Sequence, residues 1–228
     1  FGCGSKPPAG GGPTFSDRFQ QATVEANPDA RARKFIALAL DQHKAKDSSG
    51  ALRSVGEAAK AAEAVTNSLS RASVLTQLAD AQTILGELRD AKQSLIAAQR
   101  AASEISNAES RAAALAALAS VQGRGLKDVD GAIDALKEVE KLAAEVDDVQ
   151  GKTRLYAIAA ENYAKLNLDP QADRALASAH EAARSIADPN QRCTALLQVA
   201  AVETKLKKSD RAAATTSDAL DAARSIEK

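Results

Sequence analysis

The sequence predicts an all-α protein, a right-handed α-solenoid of five helix-turn-helix repeats with a period of about 40 residues and a short N-terminal cap helix. The first observation is an alanine that recurs at nearly constant intervals, at Ala51, Ala91, Ala132, Ala172 and Ala212. The second is that Ala, Val or Ile stands about two, three and four helical turns after each of these alanines. Such offsets share one side of a helix with about 3.6 residues per turn. One helical unit therefore occurs five times, and stacked units of this kind form one continuous body.

The predicted organisation is a tether followed by one repeat domain. Residues 1–14 are rich in Gly and Pro, which predicts a flexible tether, and residues 15–228 form the repeat domain. A half-unit from Phe15 to about Ala26 is expected to cap the first repeat. The units cover about 28–67, 68–107, 108–148, 149–188 and 189–228. Their first helices are predicted over about 28–46, 68–86, 108–122, 150–166 and 189–207, and their second helices over about 50–66, 90–105, 130–146, 171–187 and 210–226.

Turn-forming residues separate these helices. Asn27-Pro28 and Asp188-Pro189 each place an Asx residue at an expected N-cap, with Pro at the first helical position. The link from Gln122 to Gly131 is the longest and the richest in Gly. Alanine brings little apolar area, so a core built from it depends on close approach of neighbouring backbones.

Composition narrows the classes of function. Thirty Lys and Arg residues balance thirty Asp and Glu residues, and aromatic residues make up only 3% of the chain. Nucleic-acid binding needs an excess of cations or aromatic stacking platforms, so we expect no nucleic-acid partner. No run of apolar residues is long enough to predict a membrane span. Only two cysteines occur, Cys3 and Cys193, which does not indicate a disulfide framework.

An arginine recurs near the start of every first helix, at Arg31, Arg71, Arg111, Arg154 and Arg192. One interpretation is a ladder of guanidinium groups that binds carboxylates. The alternative is local pairing with acidic residues nearby in sequence, namely Asp29, Glu109 and Asp188. We favour local pairing because recurrence in every unit is typical of a structural contact.

The units resemble tetratricopeptide repeats, a family of helix-turn-helix modules of about 34 residues. That family places a large apolar residue early in its first helix and a small residue four positions later. Here those positions hold Phe35 and Ala39, Leu75 and Ala79, Ala116 and Ser120, Tyr156 and Ala160, and Leu196 and Ala200. The longer period, the missing closing Pro and the absent early Trp depart from the family pattern.

The resemblance implies a groove, lined by the first helices, in which partner peptides bind. The matching positions include Ile36, Leu40, His43, Thr76, Asp80, Thr83, Val121, Arg124, Glu161, Leu197 and Thr204. The first two rows of groove positions contain no Lys or Asn, so we do not expect the clamp for a C-terminal carboxylate that some family members have. The surface is mixed and partly apolar, which suits a segment of another protein.

The N-terminus resembles the mature start of a bacterial lipoprotein. Gly2-Cys3-Gly4-Ser5 places small residues around a single early cysteine, and a Gly/Pro-rich stretch follows. The resemblance implies that Cys3 carries a diacylglycerol, that Phe1-Gly2 is the remnant of a signal segment, and that the protein is held in a membrane by lipid alone. The alternative is an unmodified cysteine in a disordered end.

No catalytic constellation is recognisable. His43 and His180 are three units apart, Cys193 has apolar neighbours, and Asp128, Asp130 and Asp134 lack the spaced loop of a calcium site. We therefore expect no enzyme, no metal and no cofactor.

Together the two resemblances imply a membrane-tethered adaptor or scaffold of the bacterial cell envelope, on the outer membrane or facing the periplasm, that binds a partner protein or peptide. The alternative is a structural envelope lipoprotein that self-associates or packs into a larger complex.

Overall fold

A computed structural model describes residues 13–226, and all regular structure within that range is helical. The α-helices are α1 (Phe15–Thr23), α2 (Pro28–Lys44), α3 (Ser48–Glu63), α4 (Ser68–Leu85), α5 (Leu88–Ser103), α6 (Ala108–Ser120), α7 (Val129–Glu145), α8 (Val149–Lys165), α9 (Asp169–Arg184), α10 (Pro189–Lys205) and α11 (Ser209–Arg224). The all-α prediction is confirmed, and most predicted bounds agree to within a few residues. The cap helix is shorter than predicted, and α6 continues into a short π-helix, Val121–Gly125. Cys3 and most of the predicted tether lie outside the described residues.

The helices pack as five hairpins in chain order. Helix α2 packs on α3, α4 on α5, α6 on α7, α8 on α9 and α10 on α11. Each second helix also contacts the next first helix, and the first helices α2, α4, α6, α8 and α10 contact one another in sequence. Each hairpin in the described range therefore contacts chiefly its neighbours in the chain, which is the contact pattern of a repeat protein.

Recurring alanines fill the contacts between these helices. Ala51, Ala91, Ala132 and Ala172 have no exposed surface, and Ala212 is 8% exposed. The positions two helical turns further on are buried in all five hairpins, including Val139 in the third. A side chain with a single methyl group lets two helix backbones approach closely, so these positions set the spacing of the hairpins.

Asx residues begin the first helix of every hairpin. Asn27 accepts a hydrogen bond from the backbone N–H of Ala30 at 3.1 Å, and Asp188 accepts one from Gln191 at 2.8 Å, as predicted. The equivalent N-caps of α4, α6 and α8 are Asn67, Asn107 and Asp148. These side chains satisfy backbone donors that the first turn of a helix leaves without partners.

A left-handed residue ends each first helix, at Lys46, Gly86, Lys127, Asn167 and Lys207, with φ between 59° and 86°. The backbone N–H of the next residue then donates to a carbonyl of the last turn, for example from Asp47 to Gln42 at 2.9 Å and from Glu87 to Gln82 at 2.8 Å. This is the Schellman arrangement, which closes a helix and turns the chain sharply. It brings each second helix back along the first.

Helix α1 covers the exposed end of the first hairpin. The rings of Phe19 and Phe35 meet edge to face with centroids 5.1 Å apart, and the Arg53 guanidinium lies 4.6 Å from the centre of the Phe19 ring. Arg18 donates to Asp41 at 2.9 Å, and this hydrogen bond holds the pKa of the Asp41 carboxyl below its usual value. Helix α1 therefore seals an apolar face that in later units is covered by the preceding hairpin.

Ala179 and Ala177 provide a matched test of the alanine contacts, because both lie on α9. Ala179 is completely buried, whereas Ala177 is exposed. We expect Ala179→Leu to lower the free energy of unfolding by about 1–3 kcal/mol, since the larger side chain must push helices apart. Ala177→Leu should change it by less than about 0.5 kcal/mol. Thermal or urea unfolding measures both values, and equal losses would contradict the role given to the buried alanines.

Candidate functional site

The candidate site is a cleft between the first helices of the second and third hairpins. It has a volume of about 530 Å³ and is lined on the α4 side by Thr76, Gln77 and Asp80. On the other side it is lined by residues of α6 and the π-helix, namely Ala117, Ser120, Val121, Arg124 and Gly125. We call this space the α4–α6 cleft.

The cleft continues along the same two helices toward their N-termini. A second hollow of about 420 Å³ shares Thr76, Gln77 and Ala117 with the first. Its other walls are Leu69, Ser73, Ser110, Ala113 and Ala114. Leu69 is 46% exposed, which makes it the largest apolar side chain available to a ligand in this part. The cleft therefore has an apolar half and a half that contains the charged residues.

Hydrogen bonds within α4 and close packing of the π-helix shape the walls of the cleft. The hydroxyls of Thr76 and Thr83 donate to carbonyls one turn earlier, Ala72 and Ala79, each at 2.8 Å. Gly125 lies against Thr83, and a Cβ added there would lie 3.2 Å from the Thr83 methyl carbon. A side chain at this position would therefore crowd Thr83, so the glycine favours a close approach of the π-helix to α4.

The π-helix accommodates one additional residue in the third unit. The left-handed residue Gly86 comes four positions after Gln82, whereas Lys127 comes five positions after Gln122. The insertion therefore lies between Gln122 and Lys127, within or just after the π-helix, where Leu126 donates its backbone N–H to Val121 at 3.1 Å. Such single-turn π segments are frequent at functional sites. The predicted first helix over 108–122 therefore ends as a π-helix and not as a regular α-helical turn.

Two charged side chains of the cleft carry no ion pair within residues 13–226. Arg124 donates from Nε to the Ser120 hydroxyl at 3.1 Å, and its terminal nitrogen contacts the same oxygen. Asp80 is exposed on the facing helix. The cleft thus presents one cation and one anion whose charges are free to meet a ligand.

Of the eleven predicted groove residues, four line the α4–α6 cleft: Thr76, Asp80, Val121 and Arg124. Thr83 lies beside them, through its contact with Gly125. The remaining six lie on other first helices. Ile36 is buried, Leu40 packs against the core, His43, Leu197 and Thr204 are exposed, and Glu161 forms an ion pair with Lys205 at 2.6 Å.

Arg31, Arg111 and Arg192 do not pair with the nearby acidic residues that the sequence suggested for them. Arg111 donates to the carbonyl of Ile105 at 2.8 Å and Arg192 to that of Ile186 at 3.0 Å, while Arg31 reaches the Ala26 carbonyl at 3.5 Å. Asp29 pairs with Arg33, and Glu109 pairs with Arg154. Pairing of Arg31, Arg111 and Arg192 with Asp29, Glu109 and Asp188 was therefore wrong, because these three guanidinium groups bind carbonyls of the link before their own helix. Arg71 binds Glu104, so it too is already engaged.

Sequence reasoning missed a buried polar pair inside the hairpins. The Ser54 hydroxyl donates to the Gln42 side-chain oxygen at 2.7 Å, and Ser94 donates to Gln82 at the same distance. All four side chains are at most 9% exposed. The recurrence of Gln at 42, 82 and 122 was the available signal. In the third hairpin the partner position is Ala135, and the side-chain oxygen of Gln122 is buried without a hydrogen bond.

In the last two hairpins, Tyr163 and Glu203 occupy the position that Gln42, Gln82 and Gln122 occupy in the first three. Tyr163 is 1% exposed and donates its hydroxyl to Glu140 at 3.3 Å. Burial raises the pKa of Tyr163, and burial likewise raises the pKa of the Glu140 carboxyl. Glu203, also 1% exposed, has Oε1 3.4 Å from Arg211 Nε. These groups lie within hairpins and outside the α4–α6 cleft.

The remaining candidate chemistry is dispersed. Within residues 13–226 no three His, Cys, Asp or Glu side chains gather as a metal site, and no helix is both long and apolar enough to span a bilayer. His180 binds Asp218 at 2.9 Å, and Cys193 is a free, partly buried thiol that packs against the core of the last hairpins.

Comparison with known proteins finds structural neighbours of this chain. No protein-family model matches the sequence, and no curated protein matches it. The crystal structure of BtubC (BKLC) from P. vanneervenii aligns over 93% of this chain and 89% of its own, with 17% sequence identity and a TM-score of 0.49. The helices themselves define the class of protein, which is all-α with a repeat-like arrangement of packed hairpins.

The unsatisfied Gln122 oxygen leads to a stability prediction. Gln122 and Gln42 have equivalent placements. A Cβ added at Gly131 would meet the side-chain nitrogen of Gln122, just as a Cβ added at Gly50 would meet that of Gln42. Ala135→Ser should restore the missing bond and raise the free energy of unfolding by up to about 1 kcal/mol. Ala175→Ser, which places a hydroxyl opposite Tyr163, is the control and should lower it by about 1 kcal/mol or more. Urea unfolding compares the two variants, and an equal loss in both would contradict the equivalence of the hairpins.

Proposed function

We propose that the chain is a right-handed α-solenoid of five tetratricopeptide-like units, with α1 as the N-terminal cap. Three features support this architecture: hairpins that contact chiefly their neighbours, alanines buried at equivalent positions, and left-handed residues at the same place in each unit. Repeat proteins of this kind present long continuous surfaces made by successive first helices.

The proposed function is binding of a partner protein through the α4–α6 cleft. The observation that carries it is the cleft itself, which is open along two first helices. Exposed Leu69 lines one end, and Asp80 and Arg124, which form no ion pair within residues 13–226, line the other. A surface with apolar contacts and a few polar groups that fix orientation suits a peptide segment.

The proposed location is the bacterial cell envelope, with the protein held by lipid on Cys3. The support is the sequence Gly2-Cys3-Gly4-Ser5 and the Gly/Pro-rich stretch after it. A single acyl chain holds a protein only weakly, so a diacylglycerol is the kind of modification that would give stable anchoring.

Site-specific photocrosslinking in the producing cells tests the binding function. A photoreactive phenylalanine at Gln77, on the cleft wall, should crosslink to a discrete partner, whereas the same group at exposed Gln99 on α5 should not. Adding Ala117→Phe should abolish the Gln77 crosslink, because the exposed Ala117 lines both parts of the cleft and a phenyl ring would fill it. An unchanged Ala117→Phe melting temperature is the control for folding.

The same experiment separates the proposal from its alternative. Equal crosslinking at Gln77 and Gln99, or a Gln77 crosslink that survives Ala117→Phe, would contradict binding in the cleft. Crosslinks to a second copy of the chain would instead support a self-associating structural protein.

The lipid anchor has its own test. In the producing cells, with the natural precursor, Cys3→Ser should move the protein from the membrane fraction to the soluble fraction, because the thiol that would carry the lipid is replaced. Cys193→Ser is the matched control and should leave the distribution unchanged, since that thiol is part of a helix. Immunoblots of the two fractions measure the outcome. Membrane association that persists in Cys3→Ser would contradict the anchor.

A further inference from the structure

The charges of the α4–α6 cleft correspond to an ion pair found elsewhere in the molecule. Glu161 on α8 binds Lys205 on α10 at 2.6 Å, across two successive first helices. Asp80 and Arg124 have the same separation in sequence and stand on the two walls of the α4–α6 cleft. The same combination of charges at the same spacing is therefore paired between α8 and α10, whereas between α4 and α6 Arg124 binds Ser120 instead.

The π-helix accounts for the difference. Lys205 is the last residue of a regular α-helix, whereas Arg124 lies in the π-helix around the inserted residue. An additional residue in a turn rotates and displaces the side chains around it relative to a regular helix. Arg124 donates to Ser120 on its own helix, and Asp80 forms no ion pair within the described residues. The cleft of about 530 Å³ lies where the bridge would otherwise be.

We propose that this cleft selects a peptide that carries a basic side chain for Asp80 and an acidic side chain for Arg124, next to an apolar stretch that lies along Leu69 and Ala113. This inference rests on the proposed function, because it names the kind of partner that the cleft takes. The basic side chain of the ligand pairs with Asp80 and its acidic side chain pairs with Arg124. Between α8 and α10, by contrast, Lys205 and Glu161 pair with each other. Charge complementarity of this kind fixes the orientation of a bound segment.

The size of the cleft sets the length of the segment. Leu69 and Asp80 are separated by about three turns of one helix, which corresponds to about 16 Å. An extended peptide covers that distance with about five residues. The apolar residues should come at one end of this segment and the two charged residues at the other, because Leu69 and Ala113 lie toward the helix N-termini and Asp80 and Arg124 toward the C-termini.

Selection from a random twelve-residue peptide library displayed on phage tests the inference with the full 228-residue chain. Selected peptides should carry one basic and one acidic residue at a fixed spacing beside apolar residues. The charge-exchanged double variant Asp80→Lys with Arg124→Glu should bind these peptides about tenfold more weakly, and peptides with the two charges exchanged should bind it in their place. The matched control is Glu161→Lys with Lys205→Glu, which exchanges the equivalent pair on α8 and α10 and should leave binding unchanged.

The outcomes distinguish this inference from the function on which it rests. Peptides that lose binding in Ala117→Phe but bind the Asp80→Lys and Arg124→Glu variant equally would overturn the charge selection and leave the cleft as the binding site. Failure to select any peptide, or peptides insensitive to Ala117→Phe, would overturn both. Loss of binding in the control exchange to the same extent would overturn the charge selection, since the effect would then not be specific to the cleft.

Discussion

Close approach of helix backbones at small side chains is the constraint on which the rest of this structure depends. Completely buried alanines such as Ala58, Ala98 and Ala179 stand at equivalent positions, so each hairpin can pack only in the register that brings them together. Each alanine contributes little apolar area, so larger buried neighbours such as Leu95 and Leu176 each add more hydrophobic stabilisation than an alanine does. The buried alanines therefore set the spacing of the helices, and the buried leucines add to the free energy of unfolding.

Much of the fold could be predicted from the sequence because these constraints recur. The regular spacing of alanines such as Ala51 and Ala91 gave the hairpins, and Asn27-Pro28 gave a helix start that the structure contains. Side-chain partners were harder to predict. Arg111 was expected to meet Glu109 but donates to the Ile105 carbonyl, because a backbone oxygen exposed at the preceding link competes with any nearby carboxylate. Proximity in sequence does not decide between acceptors that the folded chain places equally close.

The candidate site was predicted only in part, for a related physical reason. The family resemblance selected Thr76, Asp80, Val121 and Arg124, which line one cleft, but it selected Ile36 as well, which is buried. An average repeat pattern cannot show where a particular pair of helices is open. The local signal was the interval between the second and third recurring alanines, which is longer than the others by a single position. An inserted residue must be accommodated by the helix in which it falls.

That insertion connects the architecture to the function proposed here. A strictly regular third unit would place Arg124 as Lys205 is placed, where its guanidinium could bind Asp80. The π-helix and Gly125 instead hold the backbone close to Thr83 while Arg124 turns to Ser120. Exposed ion pairs contribute little to stability, so the repeat loses little free energy when this one is absent. What remains is a cleft in which Asp80 and Arg124 are available, and in the function proposed here these two charges orient the bound segment.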